Sequence, residues 1–126
     1  MKCRGIRGAT TIDANTAESI HASTIELLRE MIKANDVDKD DIASVIFTVT
    51  DDLNAAFPAK AARDMGMSNI PLLCSREINV PGSLQSCLRV LILFNTDKKP
   101  DDIKHIYLKG AAALRSDDSD CAAGEE

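Results

Sequence analysis

Arg89 is the residue whose position most demands a chemical explanation. The run Cys87-Leu88-Arg89-Val90-Leu91-Ile92-Leu93-Phe94 sets a permanent cation at the start of an otherwise apolar strand. A guanidinium is too costly to bury alone, so it either pairs with Glu77 where the strand emerges or receives an anion from outside the chain. Arg7, in Gly5-Ile6-Arg7-Gly8, offers a second cation beside glycines that leave room for a ligand against the backbone. Its alternative is a surface arginine of a terminal strand. Glu77 is the acid nearest this set in kind, though Cys74 and Glu77 have opposite parity in a regular strand. They share a pocket only where a bulge or the strand's end turns them together. Tyr107, the only tyrosine, can bury its ring between Ile106 and Leu108 and lend its hydroxyl to a polar ligand atom, or be an ordinary core tyrosine. Lys60 and Arg63, three apart, can share one helix face.

Two arginines, a carboxylate and a phenol bind and polarise an anion; they do not make a nucleophile. His21 and His105 have neither the Ser/His/Asp arrangement nor metal-ligand spacing around them. Cys3, Cys74, Cys87 and Cys121 form no CxxC or Cys/His cluster, so free thiols are expected and no metal. Gly5-Ile6-Arg7-Gly8 falls short of GxGxxG and no Walker A run exists, so no phosphate loop is expected. The arginines are not interleaved with aromatics, which speaks against nucleic acid.

The elements that must position these side chains fit within 126 residues, enough for one core of ordinary size but not two. At 44% hydrophobic and 28% charged the chain can bury that core, and the net charge of -5 argues against nonspecific nucleic-acid or anionic-membrane surfaces. No export-type signal or membrane-length apolar run precedes or interrupts the pattern, so a cytoplasmic protein is the expectation. Residues 1–115 read as the single folded domain. Residues 116–126, with Asp117, Asp118, Asp120, Glu125 and Glu126 and no base, read as an acidic, flexible tail that could close over a site.

Within the domain, Cys3 to Ile12 reads as a strand. Asn15 and Glu18 form a capping pair for a helix carrying Ile20, Thr24, Leu27, Leu28 and Met31 on one stripe and ending near Ala34-Asn35. Val45 to Val49 is a second strand after a short turn at Asp40-Asp41-Ile42, a pattern echoed at Asp101-Asp102-Ile103. Pro58 opens a helix that Gly66 ends. Ile70 to Ile78 and Leu88 to Asn95 are strands, the latter with a short helical approach from Ser83, and Ile106 to Leu108 is the last. The fold class is therefore α+β: a mixed sheet covered on one face by helices. Val90, Ile92 and Phe94 alternate with Leu91 and Leu93, so the sheet's second face is apolar too, and self-association is the economical cover.

The pieces Arg7-Gly8-Ala9-Thr10-Thr11, Ala55-Ala56-Phe57-Pro58-Ala59-Lys60-Ala61, Glu77, Cys87-Leu88-Arg89-Val90 and His105-Ile106-Tyr107-Leu108, in this order, resemble the small trimeric α/β class of chorismate mutase over Lys2 to Arg115. The resemblance implies a homotrimer resembling a pseudo-α/β barrel, with sites at subunit interfaces, no cofactor, and conversion of chorismate to prephenate on the route to phenylalanine and tyrosine. It implies that Arg7 and Arg89 clamp the substrate, Glu77 accepts a hydrogen bond from the ring hydroxyl and Tyr107 assists a carboxylate. It further implies that Phe57 and Cys74 line the cavity while Arg63 and Arg115 close or guide it. Lys60 joins the substrate-binding set from its place in the same tract. Leu73 stands where the family often has a polar residue, and its side chain is assigned no role. Without the resemblance, a small-dicarboxylate binding module and a structural oligomerisation domain remain open.

Overall fold

In a computed structural model, residues 1–115 are described. The acidic tail and Cys121 lie outside them. The chain runs β1 (Lys2–Thr11), α1 (Ala17–Ala34), β2 (Ile42–Val49), α2 (Ala59–Asp64), β3 (Leu72–Arg76), β4 (Cys87–Thr96) and β5 (Ile106–Tyr107). The five strands form one sheet in the order β3-β2-β4-β1-β5. β4 is central and antiparallel to both β1 and β2, while the short outer strands β3 and β5 run parallel to β2 and β1. The expected mixed α+β architecture is what forms. The two aspartate turns also match: single 3-10 turns at Lys39–Asp41 and Pro100–Asp102 precede the chain's re-entry into the sheet, and Ile42 and Ile103 are buried directly after them.

The helices cover one face. α1 is held there by its stripe, since Ile20, Leu27, Leu28 and Met31 are fully buried against Ile6, Val45, Phe47, Val90 and Ile92. The fit is closest at Gly8, where a Cβ would lie 2.3 Å from Met31 Sδ, so any larger residue would have to push the Met31 side chain aside. Alternation then sends Arg7 and Ala9 to the opposite face. Asn35, fully buried at the end of α1, bonds Met31 O (2.9 Å) and both the carbonyl (2.8 Å) and N–H (2.8 Å) of Lys104. That clasp anchors the segment that becomes β5.

Three local expectations change. Thr16, not Asn15, caps α1, its hydroxyl accepting from Ser19 N at 3.1 Å. Asn15 is drawn off because its carbonyl accepts the backbone N–H groups of Asn54 and Ala55, both at 3.0 Å, which ties the helix entrance to the loop before α2. Residues 83–86 form an irregular stretch ending in a bend rather than helix. The reason is Asp52: its carboxylate takes Ser86 N (2.9 Å), Ser86 Oγ (3.1 Å) and Thr50 Oγ1 (2.5 Å), and Thr50 Oγ1 in turn accepts Cys87 N at 3.0 Å. Ser86 adopts a positive φ of 52° to reach it. The third strand is shorter than expected, because the chain leaves the β2 ladder after Arg76 with a last bond from Glu77 N to Val49 O at 2.9 Å.

The hydrogen bond from Thr50, with further ones from Ser86, holds the Asp52 carboxyl below its ordinary value against the opposing effect of desolvation. A depressed folded-state value means its stabilisation is fully present above about pH 4, the unfolded carboxyl's range, and is lost as pH falls through the folded value. Asp52→Asn is expected to cost about 1 kcal/mol at neutral pH, as for the loss of a hydrogen bond or two, with the gap from wild type narrowing below about pH 4. Thermal melts of both proteins across pH check this; a gap that stays constant with pH contradicts it.

Candidate active site

On the face away from the helices, register assembles the polar set. Tyr107 pairs with Ala9, Ala9 with Arg89, and Arg89 with Thr48, so β5, β1, β4 and β2 lay these residues in one row across the sheet. The next row carries Arg7, Leu91 and Ile46. A cavity of about 290 Å³ lies over both, lined by Arg7, Arg89, Thr48, Tyr107, Ile46 and Leu91 among others. The arginine that interrupts the apolar strand is thus on the side where β4's alternate residues, Leu91 and Leu93, are only partly buried.

Glu77 joins from the end of β3. Its Oε2 accepts the Thr48 hydroxyl and faces Arg89 Nε at 3.6 Å. The sequence alternatives for Arg89, ion pair or anion site, therefore coexist in one arrangement. At this separation Glu77 balances the guanidinium's charge without bonding Nε, which is buried with no hydrogen-bond partner among the described residues. Tyr107 Oη is in the same condition. Both residues line the cavity, and a buried polar atom without a partner marks where a polar group can be accepted. Arg115 adds a third cation, its Cζ 6.0 Å from the Tyr107 ring centroid. Beside them the Cys87 thiol is pushed up by burial, against the pull of Arg89, so it stays protonated and inert near neutral pH.

Not every expected residue meets here. Phe57 and Cys74 line a second cavity of about 390 Å³ with Leu53, Pro58 and Arg76. Cys74 and Glu77 part because Cys74 points to the helix side, packing against the core, while Glu77 lies beyond the strand's end. Lys60 borders a further pocket with Phe57 and His21, and its Nζ bonds Asp64 Oδ2 at 3.2 Å. His21 Nε2 lies 2.8 Å from the same oxygen, and with Lys60 it holds the Asp64 carboxyl below its ordinary value. Arg63 is exposed on α2, away from the Arg7 cavity. Phe57 is 74% exposed, so the second set presents an apolar side chain outward, and Leu73, 61% exposed, does the same on the other face of β3 beside Ile46.

Two residues were missed. His105 Nδ1 accepts the backbone N–H of Arg7 at 2.9 Å, completing the edge of β1 just before β5 begins. Nothing in the sequence marks that bond, since it depends on the parallel pairing of strands almost a hundred positions apart. Thr48 was legible in principle: its parity puts it with Ile46 and opposite Val45 and Phe47, a hydroxyl on the strand's second face.

Comparison with known proteins now adds to this geometry. The family model described as Chorismate mutase type I matches residues 3–118. Chorismate mutase AroH of Thermus thermophilus is 53% identical over 115 residues, covering 90% of this chain and 94% of that protein. Chorismate mutase AroH of Bacillus subtilis (strain 168) is 41% identical over 118 residues, covering 93% of each. The solved chorismate mutase from Clostridium thermocellum superposes with a TM-score of 0.87 at 57% identity, over 88% of this chain and 99% of that one. With fold, length and sequence all in agreement, the chain belongs to the type I chorismate mutase family.

Proposed function

We propose that this protein rearranges chorismate to prephenate in a cytoplasmic route to phenylalanine and tyrosine. The observation that carries the reading is the row of Tyr107, Arg89 and Thr48, with Arg7 one row away, lining one cavity and including two buried polar atoms without a hydrogen-bond partner. Family membership supplies isomerase chemistry of the chorismate mutase type, and the residue roles follow from the geometry of the row.

The rearrangement is intramolecular: the ether C–O bond of chorismate breaks as a C–C bond forms, and every atom stays in the molecule. It calls for no nucleophile, proton shuttle or cofactor, and the set of residues contains none of the first two. Arg7 and Arg89 hold the dianion with its enolpyruvyl arm over the ring, a conformer that orientation must select. Negative charge grows on the ether oxygen as C–O cleavage leads, and Arg89, fixed there beforehand, binds the transition state more tightly than the ground state. Glu77 accepts from the ring hydroxyl, and Tyr107 supports a carboxylate.

The finer reading is a homotrimer resembling a pseudo-α/β barrel. Within one chain Arg7, Arg89, Glu77 and Tyr107 form one half-site while Phe57 and Cys74 form another. Joining one protomer's first half to the next protomer's second would cover exposed Phe57 and Leu73 and the partly bare sheet face, and would let Phe57 and Cys74 wall the substrate. Arg63, Lys60 and Arg115 then steer or enclose the anion. Incubation of purified protein with chorismate, with the product identified, tests the activity: prephenate is expected, and binding without conversion would leave only a dicarboxylate-binding module. Native mass measurement is expected to give three chain masses; a monomer that is fully active would remove the shared-site reading.

A further inference from the structure

The Arg89–Glu77 pair stands slightly open beside a neutral residue that bonds the same carboxylate. Thr48 stands directly across from Arg89 in the β2–β4 ladder, on the cavity side, and its hydroxyl donates to the same Glu77 Oε2 that faces Arg89 Nε at 3.6 Å. A charge-assisted N–H to carboxylate bond closes to about 2.7–2.9 Å when nothing prevents it. Here the Glu77 backbone is fixed by its bond to Val49 O at 2.9 Å, one residue from Thr48, so carboxylate and hydroxyl are set side by side. A β-branched side chain in a strand keeps a restricted χ1, which makes Thr48 a firm tether. The adjacent cation, Arg76, is drawn away by Asp51, which accepts from its Nη2 at 2.7 Å and its Nε at 3.0 Å.

We propose that Thr48 is a positioning residue that keeps Glu77 from collapsing onto Arg89, so that Arg89 Nε stays available to the substrate. The inference rests on the chorismate mutase reading for its kinetic consequence, but its structural content stands apart from it. A closed Arg89–Glu77 pair would satisfy both charges internally and would have to be broken each time substrate bound. The tether shifts that cost into folding, where the sheet register bears it. A purely structural threonine, by contrast, would influence the two partners no more than any other strand residue does.

Thr48→Val keeps shape and strand preference while removing the hydroxyl, and Thr48→Ser restores it. Thr48→Val is expected to lower kcat/KM by about tenfold or more, as for loss of a hydrogen bond to a charged group, with Thr48→Ser within about threefold of wild type. In a Glu77→Ala background, Thr48→Val should cost nothing further, because the tethered group is gone. A crystal structure of Thr48→Val should show the Arg89–Glu77 gap closed to about 2.9 Å. Thr48→Val as active as wild type, equal losses in Val and Ser, or losses that multiply in the Glu77→Ala background would each overturn the proposal. Should wild type fail to convert chorismate, the functional reading falls, and the gap in Thr48→Val decides this one: closed supports it, unchanged overturns it.

Discussion

Arg89→Ala is expected to fold and assemble yet lose about a hundredfold to a thousandfold or more in turnover, the 3 to 4 kcal/mol that removing one preorganised donor to a developing oxyanion typically costs. The loss should fall mainly on kcat, since Arg89 is assigned the oxygen whose charge rises only as the ether bond opens. Stability should change little. The side chain is 42% exposed and its ion pair with Glu77 is long, so the fold gives up a weak interaction, and removing the buried unsatisfied Nε partly offsets it. Arg89→Lys should recover little, because one ammonium on a flexible stem cannot present the guanidinium's planar fork from the same backbone position. Steady-state kinetics with chorismate and a thermal melt check all of this. Near-normal turnover by a folded Arg89→Ala protein would remove Arg89 from the reaction.

Arg7→Ala is expected to fail differently, raising KM with a smaller change in kcat. Arg7 lies one row from Arg89 and is exposed in the protomer, a position suited to gripping a carboxylate that carries its charge in ground and transition states alike. Loss of one hydrogen-bonded charge contact is worth about 1.5–3 kcal/mol, or roughly 10- to 150-fold in kcat/KM. The backbone at Arg7 is held by His105 and pinned beneath α1 by Gly8, so the substitution should leave the strand in place. A variant whose kcat falls as far as that of Arg89→Ala while KM stays unchanged would show that the two arginines share one task.

Much of this site was legible in the chain because the cost of burying charge is local. Arg89 announced itself against the apolar run of Leu88 and Val90 to Phe94, and Leu91 and Leu93 alternating with Val90 and Ile92 pointed to a second apolar face on the strand. The helix stripe from Ile20 to Met31 and the end at Asn35 followed from period alone. What stayed hidden depends on pairing between distant segments. Thr48, Glu77 and Arg89 meet only because β2 lies between β3 and β4, an order no periodicity encodes. Asn15 looked like a cap until the loop at Asn54 and Ala55 claimed its carbonyl, and the run from Ser83 lost its helix to Asp52, both cases of tertiary bonds outbidding local preference. Phe57 and Cys74 came from the family likeness, and within one chain they line a different cavity from Arg7.

The strand that carries Tyr107 is only two residues long, paired through Gly8 and Ala9 and extended by one bond from Leu108 N to Ala9 O at 2.9 Å. Arg89 and Thr48, on the other hand, sit in ladders of many rungs at the sheet's centre. The phenol is therefore on a hinge leaf and the guanidinium on the frame. Detachment of β5 breaks few ladder bonds, its main cost being exposure of the buried Tyr107 ring, and amide exchange in this stretch should outpace that of β4, whose release demands melting of the entire domain.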